Sequence, residues 1–224
     1  MQRLSNLTLG LIPVILALGI TTAILLAVGA PPGEAYLSII QGATENPDKL
    51  ASVVTAAVPL WLCSAGLLIT FAAGLWNIGV EGQIVTGALL ATWLALNLTL
   101  PPLLFIPLLL IAGMAGGALW GLLAGWLKVY GGVHEIFGGV GLNFIAIVLT
   151  NYLIFGPWKP ADGATMSGTE PFPAVAWLPR LGDLPVYPVA VILALAAIVV
   201  VYFALGDTTW GLKLKAIGKN QRSA

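Results

Sequence analysis

Residues 74–88 read GLWNIGVEGQIVTGA, and positions 77–83 of that stretch hold Asn77, Gly79, Glu81, Gly82 and Gln83. Two amides and a carboxylate this close together can donate and accept hydrogen bonds to a polar solute. The carboxylate could also carry a proton or an ion. Little else in the chain points to bond-breaking chemistry. One His and one Cys leave no cluster with metal-ligand spacing, and Cys63 has no intrachain disulfide partner. Ser64, Cys63 and His134 fall into no nucleophile–base motif. The expectation is therefore no catalytic residue, no metal and no cofactor, and a formal net charge of zero offers no basic patch for nucleic acid.

The elements that must position these groups are apolar. The chain is 59% hydrophobic and 8% charged, with a mean hydropathy of +0.99. Globular domains carry about a quarter charged residues. Apolar runs of about 20 residues recur, the length a helix needs to cross a bilayer, and barrel-type alternation is absent. This predicts an all-α polytopic membrane protein with about six segments, near 9–28, 50–73, 84–98, 103–127, 140–155 and 187–205, forming a single transmembrane domain over 1–224. The run 9–28 is too long for a signal-peptide core, and Pro31 stands where cleavage would fall, so a retained first helix is expected. With the N-terminus in the cytoplasm, inner segments hold Arg3, Lys128, Lys213, Lys215, Lys219 and Arg222, and outer ones hold Lys49, Lys159 and Arg180. That bias follows the positive-inside rule.

Within this frame, residues 77–83 admit two readings. Gly79 and Gly82 weaken a helix, Asn77 can cap one, and Glu81 would sit in a first turn, where the helix dipole favours an acid. The stretch is then either a broken or re-entrant region lining a cavity or an ordinary turn between two helices. In the fourth segment, Gly113, Gly117, Gly121 and Gly125 recur every four residues and form one stripe. Such a stripe lets another backbone approach closely, for static packing or for sliding. In the fifth, Asn143, Thr150 and Asn151 are expected on one helix side, lining a pathway or bonding between helices. Residues 36–41 suggest a short interfacial helix.

The segment GLWNIGVEGQIVTGALLAT (74–92) closely resembles the GLxNIGxEGQ…GA signature of permease subunits of ABC importers for nucleosides and simple sugars, in the broad family that includes branched-chain amino acid and ribose permeases. KVYGGVHEIFGGVGLN (128–143), NYLIFGPWK (151–159) and TTWGLKLKAIGKN (208–220) resemble later segments of that family in the same order. His134 stands where the family usually has Asn, and FGGV (137–140) replaces a more polar stretch. The chain ends GKNQRSA, where the resemblance leads one to expect a cytoplasmic loop that docks on the ATPase, so a C-terminally truncated permease is expected.

The resemblance implies a membrane subunit without catalytic residues in a bacterial plasma membrane. It implies a second permease subunit, a cytoplasmic ATP-binding subunit and an extracytoplasmic solute-binding protein as partners, besides membrane lipid. Asn77, Glu81, Gln83, Asn143 and Asn151 would then line a pathway or gate. His134, Glu135, Lys213, Lys215 and Lys219 would face the ATPase. Two other classes compete: a secondary transporter using Glu81 as its ion site, and a non-transport membrane scaffold or intramembrane enzyme.

Overall fold

A computed structural model of the chain describes residues 2–160 and 168–220, with side chains from residue 11 onward. Arg3 and Arg222, counted in the charge bias, fall outside the described side chains. Eight helices account for nearly all regular structure among the described residues: α1 (Gln2–Ala27), α2 (Pro32–Thr44), α3 (Pro47–Ala72), α4 (Val80–Asn97), α5 (Pro102–Val129), α6 (Glu135–Phe155), α7 (Pro188–Gly206) and α8 (Thr209–Lys219). Each expected segment coincides with a helix. Four of them, α3, α5, α6 and α7, are long and apolar enough to cross a membrane. Residues Leu11–Ala27 and Pro32–Thr44 meet the same condition only as a pair bent by 118°.

Prolines set several of the boundaries. Pro32, Pro102 and Pro188 open α2, α5 and α7, where a missing N–H costs nothing and φ is already helical. The chain divides into two compact units: residues 1–55 with 182–186, and residues 56–181 with 187–224. In the first, α1 and α2 are clasped at Tyr36, whose hydroxyl lies 2.9 Å from that of Thr22 and 3.1 Å from the Leu18 carbonyl. The expected short helix at 36–41 is thus part of α2.

The second unit is organised around α4, which packs along α5 and against α6. Small residues allow the close approach. A methyl group added at Gly87 would stand 2.6 Å from the Gly113 carbonyl oxygen, and one at Gly116 would stand 2.6 Å from that of Thr86. Van der Waals packing has to hold helices together where lipid removes the hydrophobic drive, so backbone proximity matters here. Most large apolar side chains on α3, α5, α6 and α7 stay exposed, including Leu103 at 85% and Leu122 at 69%. Such faces suit lipid or another membrane subunit. The buried core is small-grained (Ala65, Ala112, Ala146, Ala194), with Phe105 as its one large fully buried side chain among the described residues.

Candidate functional site

The interruption between α3 and α4 covers residues 73–79. It starts at Gly74, whose φ of +71° lies in the left-handed region that glycine tolerates. The Leu75 N–H donates to the Thr70 carbonyl at 2.9 Å and closes the end of α3. The new helix opens at Val80 with Gly79 as its N-cap, and no side chain of its own caps it. Asn77 is therefore not the cap expected from the sequence. Its amide instead faces that of Gln83: Gln83 Nε2 donates to Asn77 Oδ1 at 3.2 Å, and Asn77 Nδ2 reaches Gln83 Oε1 at 3.4 Å.

The missing cap is supplied from another helix. Asn143 on α6 is buried, and its Oδ1 accepts the Gly82 N–H at 2.8 Å. Its Nδ2 donates to the Ile78 carbonyl at 3.1 Å. Gly82 is the third residue of α4, and its N–H is one of the donors a helix start leaves unsatisfied. One side chain thus satisfies an orphan donor and an orphan acceptor on either side of the helix start. The approach is close throughout. A methyl at Gly139 would stand 2.8 Å from the Gly79 nitrogen, and one at Gly82 would meet Trp120 Nε1 at 2.7 Å and Asn143 Oδ1 at 2.9 Å. Trp120 Nε1 is buried without a hydrogen-bond partner among the described residues.

Two cavities meet at the amide pair. One of 270 Å³ is lined by Thr70, Trp76, Asn77, Gln83, Lys128 and Glu135, among others. The other, of 550 Å³, runs between α3 and the α4–α5 pair and shares Thr70, Asn77, Gln83 and Gly121 with the first. These two adjoining cavities make up a mostly apolar cleft in the second unit. Lys128, at the end of α5, donates to Glu135, at the start of α6, at 2.9 Å. His134 caps α6, its Nδ1 accepting the Ile136 N–H at 3.3 Å. A larger cavity of 840 Å³ lies along residues 176–180 and Tyr187, where the Arg180 guanidinium stands 5.9 Å above the Tyr187 ring. It contains none of the residues expected to line a pathway or to face an ATPase.

The expected site residues separate into three groups. Asn77 and Gln83 line the cleft, and Asn143 fixes its wall from behind. Glu81 lies in the first turn of α4 but is exposed and lines none of these cavities. Asn151 is likewise exposed, whereas Thr150 turns its hydroxyl back to the Ala146 carbonyl at 2.8 Å. Of the three residues expected on one side of α6, Asn143 is thus buried against α4, Thr150 is half-buried and Asn151 is exposed on this chain. The glycine stripe also divides. Methyls at Gly117 and Gly121 would stand 3.1 Å from the Gln83 carbonyl oxygen and 3.2 Å from Gln83 Nε2, Gly113 faces Gly87, and Gly125 has open space. Gly116, Trp120 and Gly139 escaped sequence reasoning. Only the pairing of adjacent glycines at 116–117 and 138–139 hinted at close contact.

Lys213, Lys215 and Lys219 are exposed on α8. That helix is capped by Thr208, whose Oγ1 accepts the Gly211 N–H at 3.0 Å. Its far end abuts the interruption: a methyl at Gly218 would collide with the Ala72 carbonyl and stand 3.0 Å from the Gly74 nitrogen.

A family model described as branched-chain amino acid transport system / permease component matches residues 49–224. The chain belongs to this permease family. It is 32% identical over 220 residues to the glucose ABC transporter permease protein TsgB13 of Haloferax volcanii, covering 94% of this chain and 58% of that one. It is 31% identical over 229 residues to the guanosine ABC transporter permease protein NupP of Bacillus subtilis, covering 100% and 64%. With the nucleoside ABC transporter permease protein NupB of Lactococcus lactis it shares 28% over 219 residues, covering 94% and 60%. The chain thus spans less than two thirds of the length of these relatives. No solved structure matches it. The cleft, the interruption and α8 all fall inside the matched residues of this multi-pass membrane permease family.

Proposed function

We propose that the chain is a membrane subunit of an ATP-driven ABC importer and forms part of the pathway for a small uncharged polar solute, a nucleoside in the first place and a simple sugar in the second. The observation that carries this reading is the Asn77 and Gln83 amide pair at the junction of two cavities, in a chain of the permease family. Amides present a donor and an acceptor side by side, which suits a nucleobase edge or a pair of sugar hydroxyls. Lining a mostly apolar cleft with a few oriented polar groups is the usual arrangement of a small-molecule site.

In this reading the partners are a second permease subunit, a cytoplasmic ATP-binding subunit and an extracytoplasmic solute-binding protein. Hydrolysis belongs to the ATP-binding subunit, and this chain contributes no catalytic residue. Lys128, Lys213, Lys215 and Lys219 face the cytoplasm of a bacterial cell, and the N-terminus is cytoplasmic, an orientation that the positive-inside bias of the sequence supports. His134 and the lysines of α8 lie toward the ATP-binding subunit, and Glu135 lines the inner end of the cleft beside Lys128. Glu81 and Asn151, exposed on this chain, face the second permease subunit or the pathway between the two. An unpartnered acid on a membrane helix needs such company.

The test is uptake of radiolabelled guanosine and glucose by cells or proteoliposomes carrying the assembled transporter, with and without the ATP-binding subunit. Uptake of either solute that requires that subunit supports the proposal. Undiminished, gradient-driven uptake in its absence would sink it in favour of a secondary transporter.

A further inference from the structure

The 270 Å³ cavity beside the amide pair contains two charged side chains, Lys128 and Glu135, among the residues that line it. Their ionic groups are 2.9 Å apart, and the side chains are only 29% and 22% exposed. The other residues of this wall are uncharged, from Thr70, Asn77 and Gln83 to Trp76 and the small residues of α5. The adjoining cavity of 550 Å³ carries no charged residue on its wall. His134 approaches Glu135 from the outside at 3.7 Å, but its side chain is 59% exposed and its Nδ1 is occupied by the Ile136 N–H. The cleft is thus a half-buried space whose two charges cancel each other within it.

We infer that the Lys128 and Glu135 ion pair is a specificity-determining element of the pathway: by neutralising each other at its wall, the two residues admit uncharged solutes and reject their phosphorylated or cationic analogues. This rests on the reading of the cleft as a solute pathway. A lone ammonium in a half-buried cavity is a phosphate site, because charge-assisted bonds to phosphate strengthen as water is withdrawn. A lone carboxylate is correspondingly a site for cations. Paired, neither offers an incoming ion a net charge, and an ion entering the cleft loses water without compensation. Selection by an unfavourable term against the wrong solute is as effective as better contacts to the right one.

The experiment uses the assembled transporter and follows uptake of guanosine with guanosine 5′-monophosphate as competitor, and of glucose with glucose 6-phosphate. The pH and ionic strength are held the same for every variant. Glu135→Gln leaves Lys128 unpaired and is expected to make the phosphorylated competitor about tenfold more effective. The neutralised pair Lys128→Met/Glu135→Gln and the reversed pair Lys128→Glu/Glu135→Lys are both expected to keep the original discrimination. Lys128→Met alone leaves a carboxylate and is expected to raise competition by the cationic sugar glucosamine by about the same factor. It keeps the inference testable if the Glu135 variant fails to insert. Unchanged charge preference in both single variants, with neutral uptake simply reduced, would overturn the inference and leave the pair as a tether between α5 and α6. Loss of ATP-dependent uptake by the unsubstituted transporter would instead count against the pathway reading itself, so the two failures are distinguishable.

Discussion

Asn143 of α6 holds the first turn of α4 in place: its side-chain carbonyl accepts the Gly82 N–H at 2.8 Å and its amide donates to the Ile78 carbonyl at 3.1 Å. The two residues are 61 positions apart in the chain, and the contact is buried. A helix start that lacks its own cap thus depends on a neighbour.

Asn143→Ala is expected to destabilise the protein by about 1–3 kcal/mol for each buried group left unsatisfied. Asn143→Asp keeps an acceptor for Gly82 but sets a buried carboxyl group against the Ile78 carbonyl, so it should also be less stable than the parent. Thermal unfolding in detergent, followed by retention of the monodisperse peak on size exclusion, gives the order. An alanine variant as stable as the parent would contradict the capping role.

The glycines of α4 and α5 should differ sharply in tolerance. Gly87→Ala places a methyl 2.6 Å from a backbone oxygen, whereas Gly125→Ala meets nothing within 4 Å. Overpacking against backbone costs about 1–3 kcal/mol, so the first substitution should lower the unfolding temperature and the second leave it nearly unchanged. Equal effects would mean that α4 and α5 are not held at this distance.

At the amide pair, Gln83→Leu removes the partner of Asn77 without changing the length of the side chain greatly. The expected result is uptake reduced by about tenfold, as the half-buried Asn77 amide loses its partner on the cleft wall, with normal amounts of protein in the membrane. Glu81→Ala is also expected to impair transport more than insertion, through the surface shared with another subunit. Parental uptake in the Glu81 variant would remove that residue from the pathway.

Gly218 on α8 should be far less replaceable than its neighbour Lys219. Gly218→Val forces the helix away from the Ala72 carbonyl and the Gly74 nitrogen and should cost about 1–3 kcal/mol. Lys219→Ala, on an exposed side chain, should change stability by less than about 0.5 kcal/mol. Comparing the unfolding temperatures of the two variants decides it.

The sequence by itself determined the class and the parts. Apolar runs of bilayer length fix helices without regard to their neighbours, since in lipid each backbone must satisfy its own hydrogen bonds. Glycines at 79 and 82 likewise mark an interruption from local physics alone, with Glu81 in the turn that follows. The tertiary structure decided what the polar residues do. Asn77, Gln83 and Asn143 are chemically alike, and spacing along the chain could not say that two of them pair on the wall of a cleft while the third caps a foreign helix. Nor could it say that Lys128 meets Glu135, or that Gly113, Gly117 and Gly121 bear on α4 while Gly125 does not. These outcomes depend on which helix faces lie side by side. Small residues set the distance of approach in that packing, and a hydrogen bond needs its partner within about 3 Å, whatever its place in the chain.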